Sequence, residues 1–464
     1  MEFDLDTTFH RVPRSLASVV SLSVVLGLYA CGGGGDDASS GDRSVGLAAD
    51  RSMPQAPAFV PLATQLPADA SEYDKHMQVA RISWANNNDI TAPFWCASPG
   101  QGGNPLLSDR SVIPITELFD GFYFMGTVSV GEYVMKTADG GYMLFDTMNN
   151  ATDVNNITIP QLQSAGIDPA SLRGIVVTHG HGDHDGGVAR LQSLYQPQTT
   201  VVGSADYNAN KPYSATTQVD STKPGVPVPL AIGGRAFTAL ATPGHTPGTT
   251  SFILPVTYTG QPHKIAYLGG SAFPGAAAPA LQYMRAAETM YTQTKAQGAD
   301  ASINSHSFED KSLDRIRAIR AQGGIASSNP MIQGTAKIQL SFATLRSCSA
   351  AQLSNRDATA RNAVWRPTRT ELYAVRPNAN GNTTHVRARV SNYFSVISGG
   401  VVTFTTAEGD SCTATTDDDG IANCVIPSSR KGSGPSAVTA AFEEKSSADA
   451  VDLSSFQTVE AANY

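Results

Sequence analysis

Three imidazoles and a carboxylate fall within six consecutive positions of this chain, His179-Gly180-His181-Gly182-Asp183-His184, directly after the apolar run Gly174-Ile175-Val176-Val177. Neutral imidazole nitrogen and carboxylate oxygen are the ligands that borderline divalent ions such as Zn²⁺ prefer. A fold that uses them must end a buried strand at Thr178 and turn sharply. Gly180 and Gly182 permit the turn, so that His179 and His181 can face one ion while Asp183 and His184 face a second. The segment reads as a metal site at the end of a strand.

His179 to His184, followed by Gly186-Gly187, resembles the His-x-His-x-Asp-His signature of the metallo-β-lactamase superfamily of hydrolases. That resemblance covers about residues 72–355 and implies an αββα sandwich with the metals at one edge. It implies two further ligands: His245 in the turn Thr242-Pro243-Gly244-His245-Thr246-Pro247-Gly248, and His306 after Ala299 to Ser305. Lactonases and glyoxalases of this fold carry a metal-bridging aspartate after an intervening strand. Here the strand Lys264 to Leu268 is followed by Gly269-Gly270-Ser271, with no carboxylate. Two β-lactamase subclasses place a cysteine near this position, whereas the third has a non-ligating serine, which Ser271 matches. By analogy His179, His181 and His245 hold a first zinc and Asp183, His184 and His306 a second, two Zn²⁺ per chain with a hydroxide alone bridging them. Ser328-Asn329-Pro330 and the helix after it are similar to the closing helix of that subclass. The subclass has a second serine two places on, which helps bind the substrate carboxylate. Phe273 stands there instead. Ser271 and Phe273 are therefore the candidate substrate-binding positions.

The resemblance also implies a mechanism on a small-molecule substrate. Two zinc ions sharing one water lower its pKa towards neutrality and polarise a carbonyl, while Asp183 orients the nucleophile. β-Lactam ring opening is the first expectation. An ester, lactone or thioester is the alternative that Phe273 favours. A reading of another class is a non-catalytic envelope adhesion or scaffolding protein. Asp185 and Thr246 adjoin ligands, and ordinary turn or capping chemistry accounts for them equally well.

Arg11 and Arg14 precede the apolar run Leu16 to Leu28, which at about a dozen residues is short for a membrane span and reads as a signal peptide. The run ends in Leu28-Tyr29-Ala30-Cys31, which resembles the lipobox of bacterial lipoproteins. Residues 1–31 are thus expected to export the chain to the periplasm and to anchor it in a membrane, the outer one included, through lipidated Cys31. Residues 32–71, glycine- and aspartate-rich and then proline-rich, read as a flexible linker. A formal net charge of −8 with no basic run argues against nucleic acid as a partner.

Within 72–355, Phe122 to Met125, Gly131 to Met135 and Gly141 to Asp146 read as strands, and Val154 to Ala165 as a helix ending at Gly166. Leu313, Ile316 and Ile319 mark a helix, as do Ile338, Phe342 and Leu345. From about Arg356 to residue 464 the texture changes to short strands, at Thr384 to Val390, Val401 to Thr405 and Ala437 to Phe442, which indicate a β-sandwich. Val401 to Phe404 with Asp417 to Ala422 resembles bacterial immunoglobulin-like repeats of envelope proteins, which implies contact with the cell envelope. The whole is thus read as α/β, an αββα sandwich followed by a small all-β Ig-like sandwich. Setting Cys31 aside leaves Cys96, Cys348, Cys412 and Cys424. A turn centred near Asp418 places Cys412 directly opposite Cys424 on antiparallel strands, where a disulfide is predicted. Pairing of Cys96 with Cys348 follows only by elimination, since four cysteines permit three connectivities.

Overall fold

The computed structural model describes residues 53–86, 96, 105–325, 328–429 and 434–460; Cys31 and the signal-like segment lie outside the described residues. No helix among the described residues is long and apolar enough to cross a membrane.

Two sheets stack face to face. The first has seven strands in chain order: β1 Val112–Phe119, β2 Phe122–Thr127, β3 Gly131–Lys136, β4 Tyr142–Phe145, β5 Leu172–Val176, β6 Thr199–Gly203 and β7 Thr217–Val219. The strands from β1 to β4 pair antiparallel and those from β4 to β7 parallel. Parallel neighbours need crossovers. Helix α2 Ala151–Asp153, a π turn over Val154–Thr158 and α3 Ile159–Ser164 supply one, and α4 Gly182–Asp185 with α5 Val188–Tyr195 the next. The helix read over 154–165 thus opens with a π turn. The second sheet contains β8 Pro227–Ile232, β9 Arg235–Ala241, β10 Thr250–Tyr258, β11 Gln261–Leu268 and β12 Ala301–Asn304. Helix α6 Ala277–Gln297 crosses from β11 to its parallel neighbour β12, and α7 Ser312–Ala321 and α8 Thr335–Ser354 follow.

Side chains alternate along a strand, so a strand covered on both faces must be apolar at every position. In β4 and β5, Phe145 and Val176 face the second sheet, where they meet Phe237, Phe252 and Tyr267. Their neighbours Leu144 and Ile175 face outward against Leu162, Val188 and Leu191 of α3 and α5. On the second sheet Leu240, Ile253 and Ala266 face outward against Tyr283, Met290, Ile338 and Phe342 of α6 and α8. The result is the expected helix–sheet–sheet–helix sandwich, and every loop that carries a candidate ligand leaves one edge of it.

Helix α8 ends at Ser354, and ten short strands follow: β13 Val364–Arg366, β14 Thr368–Pro377, β15 Thr383–Asn392, β16 Val401–Thr406, β17 Ser411–Thr415, β18 Ile421–Pro427, β19 Ala437–Phe442, β20 Lys445–Ser446, β21 Ala450–Asp452 and β22 Ser455–Glu460. Strands β14-β15-β18 form one sheet and β17-β16-β19-β22 another. Val386, Ala388 and Val390 from the first enclose a core with Val402, Phe404, Val438 and Phe442 from the second. This all-β arrangement is consistent with an Ig-like sandwich. A third sheet, β13-β21-β20, reaches back to the α/β part, where Trp365, Val451 and Leu453 join the cluster under α6 and α8.

Two expectations are corrected. The described part of the 32–71 linker is not free. Met53 is buried, the Arg387 and Arg389 guanidinium groups donate to Pro54 O and Pro57 O, and Leu62 N and Ala63 N donate to Tyr393 O at 2.9 and 3.0 Å. Proline-rich backbone has little conformational freedom to lose and offers unpaired carbonyls, so arginines projecting from β15 can capture it. It runs on to Ser71, which caps helix α1 Glu72–Ala85, and α1 packs against α8. The second correction concerns Cys412 and Cys424. They are linked, at a Cα separation of 6.3 Å, but not across a hairpin ladder. Cys412 is in register with Phe404 of β16, and Cys424 with Val386 of β15, so the bond joins the two sheets of the sandwich. The Asp417 to Gly420 turn carries the chain from one sheet to the other. Cys96 is linked to the buried Cys348 of α8.

Candidate metal centre

Strand β5 ends under Thr178, and its loop presents His179 and His181 beside His245 from the β9–β10 turn. His179 Nε2 lies 3.1 Å from His181 Nδ1 and 3.0 Å from His245 Nε2, and the last two are 3.2 Å apart. Around a tetrahedral zinc with bonds near 2.0–2.1 Å, ligand nitrogens sit roughly 3.3 Å apart. The other nitrogen of two of these rings is already committed, His179 Nδ1 to Gly269 O at 2.8 Å and His245 Nδ1 to Ala272 O at 2.9 Å. Those carbonyls take the ring protons, which leaves both Nε2 lone pairs directed at the common point.

The second group is Asp183, His184 and His306. Asp183 Oδ2 lies 3.5 Å from His184 Nε2 and 3.6 Å from His306 Nε2. His306 Nδ1 donates to Ser129 O at 2.7 Å, and His184 Nδ1 to Asp146 Oδ2 at 2.8 Å. His184 Nε2 is fully buried without a hydrogen-bond partner among the described residues. An orientated ring nitrogen with a free lone pair facing a carboxylate is suited to ligating a cation. The six sequence-predicted ligands thus come together as two adjoining triads, and both fit a divalent ion.

For His179, His245, His306 and Asp183 the electrostatics favour the ligating form. Burial, with the neighbouring imidazoles, holds His179 well below the usual histidine range. Burial likewise lowers His245 and His306 to about 4, so these rings are neutral at physiological pH. Burial works against charge on His184 too, but the Asp146 and Asp183 carboxylates outweigh it and raise its pKa. For Asp183, burial raises the pKa and is outweighed by His184 and His306, which lower it.

Asp146 escaped the sequence reading as a functional residue. It is fully buried at the end of β4 and accepts from Thr178 N (2.8 Å), Thr178 Oγ1 (3.0 Å), Ser305 Oγ (2.6 Å) and Tyr267 OH (3.3 Å) as well as from His184. One carboxylate therefore ties together the β5 loop, the strand end before His306 and the aromatic core. Its signal in the sequence was an acid placed directly after the apolar run Tyr142 to Phe145, beside the motif strand. Of the two neighbours weighed earlier, Asp185 accepts from Tyr213 OH at 2.8 Å and from Lys211, which also donates to Gly180 O. Thr246 Oγ1 donates to Asp206.

Ser271 is buried beside this edge, its Oγ without a partner among the described residues, and its carbonyl accepts from Tyr283 OH at 2.6 Å. Phe273 is engaged elsewhere. Its ring meets Tyr283 edge-on at 5.5 Å, lies under the Arg356 guanidinium at 4.8 Å and packs between α6 and α8.

Residues 132–257 match the family model of the metallo-β-lactamase superfamily. The chain is 30% identical over 98 residues to a hydroxyacylglutathione hydrolase of Dechloromonas aromatica, which is 21% of this chain and 32% of that protein. It is 34% identical over 102 residues to metallo-beta-lactamase domain-containing protein 1 of Xenopus laevis, 22% of this chain and 40% of that protein. The chain thus spans 32 to 44% of the length of these curated relatives. Among solved structures it is similar to BJP-1, a subclass B3 metallo-beta-lactamase of Bradyrhizobium japonicum, at 22% identity and a TM-score of 0.42, covering 54% of this chain and 97% of that one. With the family match running from β3 to β10 across the strand and loop that carry the ligand motif, the chain contains a metallo-β-lactamase domain.

Proposed function

We propose that this domain is a two-zinc hydrolase that opens a carbonyl substrate, with the β-lactam ring first among candidates. The observation that carries the proposal is the pair of triads, in which five imidazoles and Asp183 converge while second ring nitrogens are held by carbonyls or by Asp146. Zinc bound there would supply Lewis acidity and bring the pKa of water towards neutrality. The chain's own part is to fix geometry. Asp183, between His184 and His306, offers a carboxylate oxygen to accept and orient a water proton, and Asp146 keeps His184 from turning away.

A ligand set without a bridging carboxylate has structural support. A Cβ at Gly270 would meet the His245 ring at 2.6 Å, and one at Gly269 would lie 1.9 Å from Thr250 O, so an aspartate has no room at either place. An ester, lactone or thioester is the second reading, favoured by the packed Phe273, which leaves Ser271 without a partner serine. Export and anchoring through Cys31 are proposed on the sequence of residues 1–31 alone.

Steady-state hydrolysis of a chromogenic cephalosporin beside a simple lactone, with and without zinc, tests the proposal. The expected outcome is zinc-dependent cephalosporin turnover that falls by at least about 100-fold in Asp183→Ala. Zinc-dependent lactone turnover alone would select the second reading, and no zinc-dependent hydrolysis of either would count against both.

A further inference from the structure

We propose that Asp206 is a positioning residue that locks the two loops of the first triad, His179–His181 and His245, in a single register. It ends the turn Ser204–Asp206 that follows β6. Its carboxylate accepts Gly180 N at 2.8 Å and Thr246 Oγ1 at 2.6 Å on Oδ2, and Gly248 N at 2.8 Å on Oδ1. Gly180 stands between His179 and His181, and Thr246 directly follows His245. The first loop comes from one sheet and the second from the other. Asp206 is thus a bridge between the sheets at the edge where three ring nitrogens must meet within 3.2 Å.

The packing around it leaves no slack. A Cβ at Gly203 would lie 1.8 Å from Gly248 O, one at Gly248 2.5 Å from the Asp206 carboxyl carbon, and one at Gly180 2.9 Å from Asp206 Cβ. Two backbones, at Gly180 and Gly248, approach Asp206 as closely as glycine permits, and Gly203 lies directly behind Gly248. Hydrogen bonds to an ionised acceptor are about twice as strong as neutral ones, and outer partners of metal ligands typically control affinity by about 10–100-fold. Asparagine could keep the Gly180 and Thr246 bonds but would turn an N–H towards Gly248 N. Thr246→Val deletes one of the three bonds to Asp206 at constant shape, together with the 2.8 Å bond between Thr246 Oγ1 and Thr249 Oγ1.

This role of Asp206 rests on His179, His181 and His245 holding a metal. The test is chelator competition for zinc on the full-length protein, resolving the two binding steps, with cobalt(II) absorbance identifying the step that His179→Ala/His245→Ala removes. Asp206→Ala is expected to weaken that step by about 10–100-fold, Asp206→Asn and Thr246→Val by less, while the step removed by His306→Ala stays at its wild-type affinity. Wild-type affinity for both steps in Asp206→Ala overturns the role. If that variant does not fold, wild-type affinities in both Asp206→Asn and Thr246→Val overturn it. Two intact steps in the histidine double variant would instead remove the metal reading itself.

Discussion

Asp146→Ala is expected to cost about 3–5 kcal/mol of unfolding free energy and to weaken the second metal step by about 10–100-fold. The carboxylate is fully buried and receives five donors, including the Nδ1–H of His184. Alanine leaves Thr178 N and the Nδ1–H of His184 without an acceptor in a buried site, while Tyr267 OH and Ser305 Oγ keep only each other and Thr178 Oγ1 only His179 Nδ1. Alanine would also have to keep φ at +62°, a left-handed conformation that asparagine tolerates better. Asp146→Asn should therefore lose less stability than alanine while still releasing His184. Urea unfolding of the three proteins gives the first quantity, and zinc competition the second.

Glu132→Gln is expected to be nearly neutral at pH 5 and stabilising by several kcal/mol above pH 8. Glu132 is fully buried on β3, its Oε1 accepts from Thr158 Oγ1 at 2.5 Å, and its Oε2 has no partner among the described residues. Burial, partly offset by the Thr158 bond and reinforced by the Asp146 and Asp153 charges, pushes its pKa to about 8 from 4.5. The folded state thus holds a proton that the unfolded chain releases above pH 4.5. Stability present below pH 4.5 is lost as pH rises through the folded pKa, by on the order of 5 kcal/mol in total. Glutamine cannot ionise, so only the wild type should show this decline. Unfolding curves for both proteins at pH 5 and 8.5 check it, and parallel pH profiles would exclude a protonated Glu132.

The ligands of the motif were legible in their local chemistry, whereas His245 and His306 were implied only by the resemblance that the motif carries. His179 to His184 follow an apolar strand, and His245 sits in a Pro/Gly turn. The strands were legible for the same reason, since β4 and β5 are apolar on both faces and must be covered twice. Asp146 and Asp206 carry no such local mark. An acid after a strand is ordinarily a turn residue, and only the approach of loops distant in sequence gives each its donors. The Cys412 register failed because the Asp417 to Gly420 turn was read as closing a ladder, whereas it transfers the chain between sheets that share a core. The ordered stretch from Met53 to Ser71 was hidden because proline-rich composition reports the chain's stiffness and polarity, not the arginines of β15 that capture its carbonyls.

Zinc content of the purified full-length protein and its histidine variants tests the central claim most directly. Two zinc ions per chain are expected in the wild type, one in His306→Ala, and loss of the first-triad ion in His179→Ala/His245→Ala. A double variant that retains full zinc would contradict the assignment of the site.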